Sequence, residues 1–184
     1  PPIQLCGLEG LEISMQSYYP ECFTLRSPDN VAACASLRGL QDAMDKGRIL
    51  EAVVTMCDHE HDLIVDLGKV RGVIPREEGA IGIADGSVRD IALISRVGKA
   101  VCFTVTDITE ENGIYTAVLS RRAAQERCSR EYVSSLTPGD VIDARVTHLE
   151  SFGAFCDIGC GIVALMPIDA ISVSRISHPA DRFR

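Results

Sequence analysis

The chain has 184 residues, 46% of them apolar, with a net charge of −8 and an isoelectric point near 5.0. That length admits one medium domain or two small ones, since domains commonly run about 100–150 residues, and the apolar share excludes a disordered chain. No apolar run approaches the roughly 20 residues of a membrane span, and the acidic balance argues against a broadly basic phosphate-binding surface. The start, Pro1-Pro2-Ile3-Gln4, does not read as a signal peptide, and the missing initiator Met predicts a fragment of a longer chain.

Residues 1–26 show no clear period and read as irregular. Ser27-Pro28-Asp29 is a helix start: a capping hydroxyl, a proline suited to the first turn, and an acid at the positive end of the dipole. Ala33, Leu37, Leu40 and Met44 then form an apolar stripe, predicting one helix over about 28–45 within an N-terminal extension, residues 1–46.

From Gly47 the period becomes two. Leu50, Ala52 and Val54 alternate with Glu51, Val53 and Thr55 as in a half-buried strand, and Leu63, Val65 and Leu67 repeat the pattern after a polar turn, Asp58 to Asp62. Gly68 and Gly72 bound a short connection to Val73-Ile74-Pro75. A longer connection leads to strands Ala100 to Val105 and Tyr115 to Leu119, joined by a turn at Glu110-Glu111-Asn112-Gly113. Five short strands with one long connection fit an OB-type barrel over residues 47–120.

Ser120 caps a second helix, roughly Arg121 to Val133, within a linker of residues 121–137; Arg122/Glu126 and Arg127/Glu131 are set up to pair at i, i+4. After Thr137-Pro138-Gly139 the strand pattern restarts. Gly47, Ala52, Val54-Thr55 and Pro75 recur as Gly139, Ala144, Val146-Thr147 and Pro167, all at an offset of 92 residues. With one gap, Asp66-Leu67-Gly68 recurs as Asp157-Ile158-Gly159. The expectation is a mainly β protein: tandem five-stranded OB-fold barrels joined by a helix, the second (residues 138–184) incomplete. A barrel short of two strands leaves edges unpaired. The natural chain is therefore expected to continue past Arg184, or a neighbour to supply the missing strands.

Positive charge gathers in the linker (Arg121, Arg122, Arg127, Arg130) and near the end (Arg175, Arg182, Arg184), whereas residues 47–120 carry 7 basic and 12 acidic side chains. The eight cysteines are scattered, and the closest approach to a zinc pattern, Cys156 and Cys160, has no partner pair. They read as reduced, buried thiols of a cytoplasmic protein, with no metal and no cofactor expected. Asp58-His59-Glu60-His61-Asp62 reads as a solvated hairpin turn rather than a metal site, and Arg76-Glu77-Glu78 as a solvated charge cluster. Val97-Gly98-Lys99 lacks the leading glycine and trailing hydroxyl of a phosphate loop. No nucleophile–base or paired-carboxylate spacing points to an enzyme.

One segment stands out. If Ala154, Cys156 and Ile158 face a core, Phe155 faces outward, and Gly153 permits a bulge or bend that brings Phe152 to the same face. Two exposed rings suit single-stranded nucleic acid, since each stacked base contributes about 1–3 kcal/mol. The alternative is that both rings are ordinary core residues.

Pro138-Gly139-Asp140-Val141, Phe152-Gly153-Ala154-Phe155-Cys156-Asp157-Ile158-Gly159 and Arg175-Ile176-Ser177-His178-Pro179 together resemble the RNA-binding domain repeated in ribosomal protein S-one and found in several ribonucleases. Gly47, Val65-Asp66-Leu67-Gly68, Gly72-Val73-Ile74-Pro75 and Val97-Gly98-Lys99 resemble a first copy, and Leu119-Ser120-Arg121-Arg122-Ala123 the segment that closes one repeat. The likeness covers about residues 47–184. It implies that Phe152 and Phe155 are the family's paired aromatics and that Arg175 and His178 are its Arg-x-x-His; Arg145 joins them as a further RNA-binding candidate. It also implies single-stranded RNA, as mRNA, and the ribosome as partners. Two departures stand against it: Pro167 where many members have His, and no aromatic at Glu60-His61-Asp62-Leu63-Ile64, so the first barrel is expected to bind RNA weakly or to act as a spacer or protein contact. An acidic protein-interaction scaffold and a ribonuclease accessory domain are the competing readings.

Overall fold

Two serines organise the beginning of the structure, a computed structural model that describes residues 18–183. The expectations for residues 1–17, for Cys6 and for Arg184 lie outside the described residues. Ser27 and Ser36 both hold extended backbone, and their hydroxyls accept from the amides of Asn30 and Gly39 at 3.2 and 3.1 Å. They cap two helices, α1 (Pro28–Cys34) and α2 (Leu37–Asp45), where the apolar stripe predicted one. Periodicity ran through the break because Ala33 and Leu40 both reach the core, and the second cap interrupts the backbone without changing that face.

The strands are β1 (Leu50–Cys57), β2 (Leu63–Leu67), β3 (Val70–Ile74), β4 (Ala100–Glu111) and β5 (Ile114–Ser120). They close into a barrel in the order β1-β2-β3-β5-β4, with β3 parallel to β5 and the other pairs antiparallel. Leu50, Val54, Leu63, Val65, Val101, Phe103 and Leu119 fill it, and Leu40 and Ala43 of α2 pack against it. Gly72 is not in a connection but inside β3, paired with Val65 and Ala117. A Cβ there would meet Leu119 Cδ1 at 3.0 Å and the Val65 carbonyl at 3.1 Å, so the glycine is the contact point at which β3 closes on β5. β4 is twice the expected length. Beyond Val105 it leaves the core as a polar ribbon with β5, which apolar alternation does not mark, and turns at Asn112-Gly113, both at positive φ.

The long connection carries a 3-10 turn, Arg76–Glu78, and a short helix, α3 (Ile91–Ile94). The charge cluster there is not merely solvated: Arg76 pairs with Asp90 at 2.7 Å, and Glu78 takes Arg122 and the Ser120 hydroxyl. Helix α4 (Arg121–Glu131) is capped by Ser120 as expected. Its Arg122–Glu126 pair forms at 2.9 Å, but Arg127 donates to the Gly47 carbonyl and Glu131 accepts from Tyr18. A second, three-stranded sheet follows: β6 (Arg145–Glu150), β7 (Gly153–Asp157) and β8 (Val163–Pro167), ending in the short helix α5 (Ile168–Ile171).

A buried polar network ties this sheet to the barrel. Glu21, 4% exposed, accepts from Arg121 Nε at 2.7 Å and from the Cys102 amide at 3.2 Å, while its own amide donates to Asp157 Oδ2 at 2.8 Å. Burial pushes the Glu21 carboxyl up, but the adjacent Arg121 guanidinium outweighs it and holds it below the ordinary range. Asp157 runs the other way, raised by burial although three backbone amides donate to it. Glu51, expected on the solvent face of β1, is only 3% exposed because residues 18–25 cover it. Its backbone pairs with the Asn30 side-chain amide, which donates to the Glu51 carbonyl and accepts from its amide, both at 2.8 Å. The thiols divide: Cys102, Cys128, Cys156 and Cys160 are buried, Cys34 and Cys57 partly so, and Cys22 is exposed, which corrects the expectation of uniform burial.

Candidate nucleic-acid interface

The β6–β7 hairpin is joined by Ser151-Phe152, so Phe152 sits in the turn itself and is 52% exposed. No bulge occurs at Gly153. The irregularity lies in β6, between Val146 and His148, and it rotates His148 into register with Phe155. Gly153 serves close packing instead: a Cβ would lie 2.4 Å from the Met166 carbonyl, so any other residue pushes β7 off β8. The amide of Ile168 donates to the Phe152 carbonyl at 2.9 Å and fixes the turn against α5.

Alternation along β7 is as expected, with Ala154 and Cys156 buried and Phe155 on the opposite face, partly exposed. That face carries a cross-strand row, His148–Phe155–Leu165, one residue from each strand. The His148 and Phe155 rings stack at 6.2 Å and 27°, and the Phe152 ring meets Phe155 edge-on at 6.1 Å and 87°. Leu165 is 49% exposed. His148 was missed in the sequence because it lies on a neighbouring strand, and only the β6 bulge places it beside Phe155. Its Nε2 lies 2.7 Å from a Glu150 carboxylate oxygen.

Of the other candidates, Arg145 and His178 are held by other partners. Arg145, exposed at the start of β6, donates to the Glu21 carbonyl at 3.0 Å and lines a cleft toward the barrel. Arg175 is exposed in irregular backbone. His178 caps the 3-10 turn Pro179–Asp181, its Nδ1 accepting from the Ala180 amide at 3.1 Å. Among the described residues no stacking joins His178 to Phe152 or Phe155. In the first hairpin, Asp58 Oδ1 accepts from the amides of Glu60 and Asp62, and Asp62 from that of Arg76, so these carboxylates serve the turn. No group of three metal-ligating side chains occurs among the described residues.

No family model matches the chain. Small ribosomal subunit protein bS1 of Staphylococcus aureus strain COL is 32% identical over 146 residues, 77% of this chain and 34% of that protein. The proteins of the same name from Staphylococcus epidermidis and Staphylococcus haemolyticus are 31% and 32% identical over the same shares. The chain thus spans about a third of the length of the curated relatives it matches. The solution structure of GSP13 from Bacillus subtilis aligns with 50% of this chain and 61% of its own at 20% identity, with a TM-score of 0.32, and the fold is read from the strands themselves. By its ordered motifs and by this identity over most of its length, the chain is related to the ribosomal S-one RNA-binding domain family.

Proposed function

We propose that this chain binds single-stranded RNA, without catalysis, by stacking bases on the face formed by Phe152, Phe155 and His148. One observation carries the reading: the partly exposed Phe155 ring meets the His148 ring on one side and the exposed Phe152 ring of the adjoining turn on the other, in a chain whose net charge of −8 favours stacking over broad phosphate attraction. The barrel order β1-β2-β3-β5-β4 supports an OB-type fold for the first unit. The three-strand meander after the linker supports an incomplete second copy. The bulges support the pairing of the two, since Val54/Met56 and Val146/His148 stand at the same 92-residue offset. Similarity to ribosomal proteins favours mRNA and the ribosome as partners and the cytoplasm as the setting.

The test is binding of a short unstructured RNA to this chain and to Phe152→Ala/Phe155→Ala at two salt concentrations. Loss of about 1–3 kcal/mol per ring is expected, with a shallow salt slope. Affinity indifferent to the double substitution sinks the stacking reading. A second reading, a protein-docking scaffold, is favoured for the barrel by its acidic balance and by the cross-strand row Met56–Ile64–Val73, which has no aromatic ring. Retention of a ribosomal protein partner by Phe152→Ala/Phe155→Ala would support it.

A further inference from the structure

A cavity of about 580 Å³ lies where the segment around Glu21, the barrel and β6 meet, and it falls within the roughly 300–1,000 Å³ that holds a small ligand or part of a larger one. Its walls bring Arg96 and Lys99, from the loop before β4, to Arg145 and His148 of β6. In a chain of net charge −8 this is a concentration of cations. The two wall carboxylates, Glu21 and Asp157, offset part of it, since Arg96 itself pairs with Glu21, and the cations left over are Lys99 and Arg145. Glu21 and Asp157 are 4% and 3% exposed, and both are already engaged, Glu21 by Arg121 and Arg96, Asp157 by three backbone amides.

Lys99 and Arg145, by contrast, are exposed. Lys99 makes no ion pair among the described residues, and its backbone is pinned to β1: its carbonyl accepts from the Val54 amide at 3.0 Å, and the Gly98 amide donates to the Val54 carbonyl at 2.8 Å. Arg145 uses one donor on the Glu21 carbonyl, and a guanidinium has five. His148 both lines the cleft and stacks on Phe155, so the cationic cleft and the aromatic face are continuous through one side chain.

The geometry points to this cleft as the phosphate-tracking half of the RNA site, with Lys99 of the barrel and Arg145 of the second sheet contacting backbone phosphates of the strand whose bases stack on Phe155 and Phe152. The inference rests on the RNA-binding reading above. It makes the barrel a partner in the site although its own hairpin has no aromatic, and it gives the polar network at Glu21 a purpose, since that network holds the two walls together.

The experiment is a titration of labelled oligouridine of about 12 nucleotides, within the span of one OB fold, across salt from about 50 to 200 mM. The proteins compared are this chain, Lys99→Ala, Lys99→Ala/Arg145→Ala, and Phe152→Ala/Phe155→Ala. Each single-strand phosphate contact adds about 0.7 to the salt slope, so the double cation variant loses roughly 1.4 of slope and about tenfold in affinity at low salt. Lys99→Ala breaks no hydrogen bond of its side chain in the structure, so half of that slope change from it alone cannot be ascribed to misfolding. The aromatic variant loses affinity at unchanged slope. Unchanged slopes in both cation variants, with binding still lost in the aromatic variant, overturn the cleft and leave the RNA reading standing. No binding by the unsubstituted chain overturns both.

Discussion

Two cross-strand rows occupy matching places in the barrel and in the second sheet, and they differ in kind. In the barrel the row is Met56–Ile64–Val73; in the sheet it is His148–Phe155–Leu165. Each begins just after a bulge in its first strand, so the backbone presents the same three positions in both. Chemistry is therefore set by side-chain choice on a shared frame. The interiors differ as well. Inward positions of β2 are Leu63, Val65 and Leu67, all buried in a closed core, whereas those of β7 are the smaller Ala154 and Cys156, and those of β8, Ala164 and Met166, are only partly buried. The barrel supplies hydrophobic stability, and the sheet relies on its attachment through Glu21, Asp157 and α4.

That attachment is the first thing to break. Glu21→Ala leaves Arg121 buried and unpaired and is expected to cost about 3–5 kcal/mol in chemical denaturation; an unchanged midpoint would mean the network does not hold the two regions together. Its acid dependence has a definite sign. The Glu21 carboxyl is held below its ordinary pKa, so its contribution is present above the usual carboxylate range and is lost as pH falls through the depressed value.

Core truncations come next. Leu63→Ala in the barrel is expected to cost about 2–5 kcal/mol, against about 1 kcal/mol for Met166→Ala at a partly buried inward position of β8. Equal losses in thermal unfolding would refute the division of labour between core and attachment. The row itself can be transplanted: Met56→His/Ile64→Phe places aromatics on the barrel and is expected to add about 1–3 kcal/mol of RNA affinity for each base that stacks, read by the same titration. No gain would show that the frame alone does not make a binding face. The smallest effect concerns Glu51, whose carboxyl burial pushes up to about 7 from 4.5. The folded state holds that proton where the unfolded chain has released it, so stability declines as pH rises from 4.5 to 7. Glu51→Gln is expected to stabilise by on the order of 1 kcal/mol at pH 8 and to be neutral near pH 4, as denaturation at both pH values would show.

Much of the frame is legible in the chain. Alternation at Leu50–Val54 and Leu63–Leu67 marks two barrel strands, Ser120 marks the start of α4, and alternation from Ala154 to Cys156 turns Phe155 outward. Reading fails where a residue's fate depends on something distant in sequence. Glu51 has the pattern of a solvent-facing residue, and only the segment around Cys22 buries it. Arg121 and Arg122 look like paired surface charges of a linker, yet Arg121 is 3% exposed and neutralised by a carboxylate 100 residues away.

What the amino-acid order determines by itself is local: which residues alternate, where helices are capped, and that one hairpin carries two rings where the other carries none. Those properties depend on neighbours within a few positions, where backbone geometry is regular. The tertiary structure alone decided that His148 completes the aromatic row, that Arg145 donates to the Glu21 carbonyl, and that Lys99 lines the same cleft. Each follows from a bulge, a closure or a buried ion pair, all of which join residues far apart along the chain.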